Sequence, residues 1–245
     1  MINSFTVFGV TFYPYSLLMI AGTFVTFGIF CWLTVRRHTD TGDENAFVIE
    51  MLVISIAAAL PAAMFFDALF KIGETGKFVL KGATFYGGLL GALAFVPSVL
   101  CIKKQRKVSI YERLCDFAPA IPAGHFFGRI GCFLGGCCFG SPTENIFGVV
   151  FPEGSAPYAY YGCAVAIHPT QLYEAAALLA LFFILFFLWK KHSISLYFIL
   201  YGVARFTIEF FRADDRGAIF SANLSPAQII SLALIAAGIG IIIFK

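Results

Sequence analysis

Charge is what this sequence has least of. Only 13% of its 245 residues are Asp, Glu, Lys or Arg, about half the share of a soluble domain. With 60% hydrophobic residues and a mean hydropathy of +0.86, an ordinary soluble globule is excluded and a polytopic membrane protein is expected. A net charge of +3 is too small to indicate a nucleic-acid surface. A disulfide framework is missing too. The seven cysteines, at 31, 101, 115, 132, 137, 138 and 163, follow no extracellular spacing, and their odd number leaves at least one free. Residues 1–10 carry no basic cluster, so no cleavable signal peptide is expected and the first apolar run reads as a full span. There is no internal repeat, low-complexity tract or linker. One polytopic membrane domain over residues 1–245 is the simplest expectation.

What is present is a series of apolar runs, each near the ~20 residues that a membrane-spanning helix needs. They cover residues 14–35, 46–70, 83–102, 110–133, 171–189, 194–211 and 224–244. The fold expected is therefore all-α, with about seven transmembrane helices. If the loops alternate sides, one side holds Arg36, Arg37, Lys103, Lys104, Arg106, Lys107, Arg113, Lys190, Lys191 and Lys245. The other holds Lys71, Lys77, Lys81, Arg212 and Arg216. Ten against five puts the N-terminus outside and the C-terminus in the cytoplasm. Residues 141–169 have no Lys or Arg and are long for a connection, which suggests an outer loop or small cap.

The most unusual stretch is residues 128–140, GRIGCFLGGCCFG, at the end of the fourth run. It combines an arginine, three thiols and five glycines. A charged side chain in lipid costs about 3 kcal/mol or more, so Arg129 should face a cavity, a partner or a ligand. Glycines let a polar headgroup approach the backbone and permit non-helical turns, which membranes tolerate only where protein or water covers them. The stretch reads as the floor of a polar intramembrane site.

Two readings are open for Arg129 and for Arg205, which lies in the sixth run. Each can pair with Glu174, Glu209 or Asp67 and hold helices together. Together they can also bind an anion, since a guanidinium fork matches phosphate and phospholipid headgroups are the anions at that depth. Tyr86, in TFYGG at 84–88, is a donor, an interfacial anchor or, with a lowered pKa, a base. In HPTQLYE at 168–174, Pro169 suits a helix's first turn, with Thr170 and Gln171 near its amide-rich end. His168 reads as a loop-anchoring hydrogen-bonder. Cys132, Cys137 and Cys138, with His125 and His168, raise the question of a metal, but no second matching cysteine pair completes a zinc framework, and none is expected. A disulfide at 137–138 or 132–137 and plain apolar packing both stay open. No cofactor is expected.

These residues resemble the prolipoprotein diacylglyceryl transferase family of bacterial inner-membrane enzymes. The family motif G-R-x-G-N-F-x-N-x-E-x-x-G aligns with residues 128–140, with Gly128, Arg129, Gly131, Phe133 and Gly140 in place. PYSLLMIAG at 14–22, TFYGG at 84–88, PAIPAG at 119–124, HPTQLYEA at 168–175 and YGVARFTIEFFRADD at 201–215 are similar to family segments in the same order. The resemblance implies a multi-pass protein of the bacterial cytoplasmic membrane. It implies transfer of diacylglyceryl from phosphatidylglycerol to the lipobox cysteine of a preprolipoprotein, giving a thioether and glycerol phosphate.

On that resemblance Arg129 and Arg205 are electrostatic catalysts for the leaving phosphate. Tyr86 stands where the family usually has the His before its Gly-Gly pair. Tyr15, Gly87, Gly88, Gly128, Cys132, Cys137, Gly140, His168, Gln171, Tyr201 and Glu209 contribute to the substrate site, and Glu209 and Glu174 orient the arginines. The motif's first Asn is Cys132 here, its second Asn is Gly135 and its acidic position is Cys137. Those replacements leave two alternatives beside the transferase: a related enzyme with another acceptor, or a non-catalytic lipid-binding or redox-sensing membrane protein.

Overall fold

The computed structural model describes residues 5–7, 10–12, 14–37, 64–65, 109–187, 192–213 and 224–244. The expected spans at 46–70 and 83–102 lie outside the described residues, apart from helical Met64 and Phe65. So do Asp67, Tyr86, Gly87 and Gly88. The chain forms two units, one from Met1–Phe30 with Leu114–Lys245 and the other from Cys31–Arg113.

Helix α1 runs Pro14–Arg37. Pro14 has no N–H to lose in a first turn, and Arg36 and Arg37 complement the helix dipole in the last. At 24 residues it is about 36 Å long, enough to cross the ~30 Å of a bilayer core. Its polar side chains turn back on the backbone: Thr23 Oγ1 donates to Met19 O and Thr26 Oγ1 to Gly22 O, both at 2.9 Å. Ahead of it, the β-branched strands β1 (Phe5–Val7) and β2 (Val10–Phe12) pair antiparallel, with Thr6 opposite Thr11.

The fourth expected span, 110–133, is not one helix. It is α2 (Ile110–Phe117) and α3 (Ala120–Gly135). Pro119 carries no N–H and disfavours helix in the residue before it, so the ladder stops there. Hydropathy sees only continuous apolar sequence and misses the break. Helix α2 starts with a capping box: Glu112 N–H donates to Ser109 Oγ (3.3 Å) and Ser109 N–H to Glu112 Oε2 (3.0 Å). Helix α3 crosses α1 closely. A Cβ on Gly124 would strike Thr26 Oγ1 and come 2.6 Å from Gly22 O, while Gly128 faces Met19 and Gly131 faces Tyr15. These small residues, at i, i+4 and i+7, form the stripe along which two antiparallel membrane helices approach.

Next come β3 (Val149–Val150), the short helix α4 (Ala156–Tyr161) and β4 (Ala166–Ile167), with β3 and β4 antiparallel. Phe139, Phe151 and Ile167 form a small core here, joined by Phe133, Val149 and Tyr161. The three remaining helices are α5 (Thr170–Phe187), α6 (Ser193–Glu209) and α7 (Pro226–Phe244). Their limits fall within about two residues of those expected, the normal uncertainty at helix ends. Helix α5 packs on α3 and α6, and α6 on α7. The α6–α7 contact is backbone-close, since a Cβ on Gly202 would lie 2.9 Å from Ser231 O and one on Gly238 2.7 Å from Ser195 O. The fold is mostly helical, with the two short β-pairs as additions. Among the described residues, α1, α5 and α7 are long and apolar enough to cross a membrane.

Candidate active site

Glu174, in the second turn of α5, is 1% exposed. Burying it requires compensation, which arrives from two other helices. Arg129 Nη2, from α3, lies 2.9 Å from Glu174 Oε1. The Tyr201 hydroxyl, from α6, donates to the same oxygen at 3.0 Å. His125 Nε2, one turn before Arg129, is 3.9 Å away. Tyr201 stacks on Tyr197 with ring planes 3° apart and meets the His125 ring edge-on. The three helices that enclose the site are thus tied together by one acid.

A second acid anchors Arg205. Its Nη2 lies 2.7 Å from Glu209 Oε2, an i,i+4 pair on α6. Arg212 Nε is 3.8 Å from that same oxygen, and Ser225 Oγ donates to Glu209 Oε1 at 2.9 Å. Ser225 also caps α7, its Oγ accepting from Gln228 N–H at 3.2 Å. Both sequence readings of the arginines therefore meet: each has an acid partner, Glu174 for Arg129 and Glu209 for Arg205. Yet Arg129 Nε and Arg205 Nη1 are buried without a hydrogen-bond partner among the described residues. Tyr201 lies within electrostatic reach of both guanidinium groups.

The end of α3 builds a third group. Gly136, in the left-handed conformation at φ 69°, donates to Phe133 O, and Cys137 N–H reaches back to Cys132 O at 3.1 Å. This is the Schellman ending, which glycine permits at no steric cost. Cys138 is also left-handed, at φ 61°. The carbonyls of this turn are held by α5: Gln171 Nε2 donates to Cys137 O (2.6 Å) and Thr170 Oγ1 to Cys138 O (2.7 Å). The sulfurs of Cys132, Cys137 and Cys138 come within 4.8 Å of one another. Hydrogen bonding from Cys132 and Cys137, with Arg212 beside it, holds the Cys138 thiol below its ordinary range. Its bonds to Cys132 and Cys138, together with burial, push Cys137 up.

Gly140 then passes where only glycine fits, since a Cβ would lie 2.5 Å from Phe211 O and 2.6 Å from His168 O. Its N–H donates to His168 O at 2.9 Å, and Tyr161 OH donates to its carbonyl at 3.1 Å. His168 Nδ1 lies 3.0 Å from Tyr173 OH, and its ring packs edge-on against Phe211.

Among the residues singled out from sequence, Arg129, Tyr201 and Glu174 come together directly, as do Arg205 and Glu209. Cys132, Cys137 and Gln171 meet at the end of α3. Gly140 and His168 share the adjoining crossing. Gly128 faces Met19 of α1, and Tyr15 lies against Gly131, 40% exposed. Sequence reasoning gave no role to Tyr197 or Ser225. Ser225 was signalled by S-P-A-Q, a cap sequence; the Tyr197–Tyr201 stack was visible only as an i,i+4 pair. Beside Glu174 and Tyr201, α5 and α6 leave an open slot of about 100 Å³ lined by Ala177, Leu181, Ile184, Leu200 and Ala204.

The sequence profile of the prolipoprotein diacylglyceryl transferase family matches residues 3–244. A protein of Clostridium tetani named phosphatidylglycerol–prolipoprotein diacylglyceryl transferase is 31% identical over 248 residues, covering 96% of this chain and 94% of that one. One of the same name from Campylobacter curvus is 32% identical over 263 residues, covering 96% and 90%. Another, from Chlorobaculum tepidum, is 37% identical over 175 residues, covering 68% and 56%. With the likeness running nearly end to end, the chain belongs to the prolipoprotein diacylglyceryl transferase family.

Proposed function

We propose that this chain transfers the diacylglyceryl group of phosphatidylglycerol to a prolipoprotein cysteine, with Arg129 and Arg205 as its electrostatic catalysts. The observation that carries the role of the arginines is their state: each is aimed by a buried acid, and each keeps one buried N–H edge without a partner among the described residues. A phosphodiester oxygen is the acceptor such an edge suits.

In the reaction the acceptor's sulfur attacks the glyceryl carbon that bears the phosphate. A C–S bond forms, the C–O bond breaks, and glycerol phosphate leaves. The thiol proton ends on the departing phosphate monoester or in water. Negative charge accumulates on that phosphate, where guanidinium donors already in place in a water-poor site lower the barrier most. Their field also favours the substrate thiolate over the thiol. Glu174 and Glu209 keep the two forks oriented. Tyr201, bonded to Glu174, and Tyr15, beside Gly131 of the motif helix, help shape the headgroup space with Gly128, Cys132, Cys137, Gly140, Gln171 and His168. The slot between α5 and α6 starts at Glu174 and runs along Ala177, Leu181 and Ile184, about 15 Å of helix. It suits one acyl chain of the donor.

The acceptor is the lipobox cysteine of a signal peptide. The chain sits in the bacterial cytoplasmic membrane as one multi-pass domain of about seven spans, N-terminus out, with residues 141–169 as an outer cap. From their place in the sequence alone, Tyr86 is proposed as a further catalytic group and Gly87 and Gly88 as substrate-binding residues. The test is direct: purified protein in vesicles of phosphatidylglycerol, given a lipobox peptide, should yield a thioether-linked diacylglyceryl peptide and glycerol phosphate in equal amounts. Absence of product from the folded wild-type protein would overturn the proposal, and full activity in Arg129→Ala would remove Arg129 from it.

A further inference from the structure

The three thiols at the end of α3 take no part in the bond-making step proposed above, although Cys132 and Cys137 stand at substrate-site positions of the family motif. We propose that Cys132, Cys137 and Cys138 form a tris-thiolate site for a soft metal ion of the Cu(I) or Zn(II) class. This inference does not rest on the transferase reading.

The geometry is specific. All three sulfurs lie within 4.8 Å of one another. A Zn–S bond is about 2.3 Å, which puts the sulfurs of a closed site about 4 Å apart, so less than about 1 Å of adjustment completes the shell. The backbone that presents them is fixed before any ion arrives. Cys132 is in the last turn of α3, and the Schellman hydrogen bond folds Cys137 back over it. Left-handed Cys138 turns the chain, and Gln171 and Thr170 hold both carbonyls from α5. A ligand set held in this way binds without paying to order a loop.

The donor set selects the ion. Among the described residues no His, Asp or Glu joins the group, and all-sulfur ligation favours Cu(I) and Zn(II) over Mg(II), Ca(II) or Mn(II). The charge is also accommodated. Three thiolates around a monovalent or divalent cation leave a net negative centre, and Arg129 and Arg212 lie within electrostatic reach of it. Cys137 is exposed, which gives the ion a way in. The sequence spacing alone gave no zinc framework. The site exists because a helix ending brings an i,i+5 pair and its neighbour to one point.

The experiment uses the full chain, reduced, in detergent and under anaerobic conditions. Cu(I) is titrated against a chromogenic chelator, and Co(II) is used as a spectroscopic stand-in for Zn(II). The expected result is one ion per chain, with thiolate-to-cobalt charge-transfer absorption. Cys132→Ser, Cys137→Ser and Cys138→Ser should each weaken binding by about tenfold or more, in the range that disturbing a metal site produces. Cys31→Ser, Cys115→Ser and Cys163→Ser should leave it unchanged. Stoichiometric binding that survives the triple serine variant would overturn the proposal. So would a disulfide within the trio in protein isolated from its own membrane. If the serine variants fail to fold, wild-type protein still decides: bound Cu(I) must protect all three thiols from alkylation, read by peptide mass spectrometry, and unprotected thiols would refute the site.

Discussion

Arg129 and Tyr201 meet on one oxygen of Glu174, at 2.9 and 3.0 Å, from helices α3 and α6 on either side of α5. Each contact ties the buried carboxylate to a different neighbouring helix. The carboxylate therefore sets the position of the guanidinium as well as neutralising it.

Arg129→Lys keeps the charge and loses the fork. Removing one preorganised donor from a site that stabilises developing charge costs about 10²–10³ in kcat. We expect a loss of that size with KM for phosphatidylglycerol changed much less, measured as glycerol phosphate release from vesicles. A lysine variant with wild-type kcat would mean that only net charge matters at this position.

Glu174→Ala leaves Arg129 buried with no counter-charge. Breaking a buried pair from one side costs about 3–5 kcal/mol. Glu174→Gln keeps an acceptor for Tyr201 and should lose markedly less. Thermal unfolding in detergent reads the difference, and equal losses in the two variants would show that the carboxylate's charge is not what the helices depend on.

Gly140→Ala and Gly135→Ala form a matched pair five residues apart. At 140 the new methyl would sit 2.5 Å from Phe211 O, against backbone that cannot yield, whereas at 135 nothing lies within 4 Å. The first should destabilise by at least about 1–3 kcal/mol, as overpacking does. The second, at the end of α3, should be neutral or stabilise by up to about 1 kcal/mol. Equal melting temperatures for the two variants would contradict the crossing at Gly140.

Cys137 and Cys138 should respond to pH in opposite ways in the metal-free protein. Neighbouring thiols and Arg212 favour the Cys138 thiolate, so its alkylation should persist as pH falls below the ordinary thiol range. Cys137, held protonated by its bonds to Cys132 and Cys138, should react only at higher pH than a free thiol. Site-resolved alkylation rates across pH check both, and coincident profiles would show that the thiols do not communicate.

Much of this could be read from the chain. The limits of α1, α5, α6 and α7 follow from apolar length with Pro14, Pro169 and the basic clusters as punctuation. Pairing of Arg205 with Glu209 was also legible, since i,i+4 charges on a helix face each other. The break at Pro119 was not, because hydropathy averages over a missing N–H. Nor was the choice of Glu174 for Arg129, which depends on how α3 and α5 pack and leaves no trace in local spacing. The thiol group shows the same limit more sharply. Cys132 and Cys137 have a spacing that zinc pairs use but no second matching pair, and only the left-handed backbone at Gly136 and Cys138 brings the third sulfur to them.

Arg212 serves two masters. Its backbone is bridged to Gly140 at the base of the 141–169 segment, and its side chain contacts Glu209, the acid that aims Arg205. The backbone at the root of that segment and the carboxylate beside Arg205 thus share one residue, so a substitution at Arg212 would be felt at both.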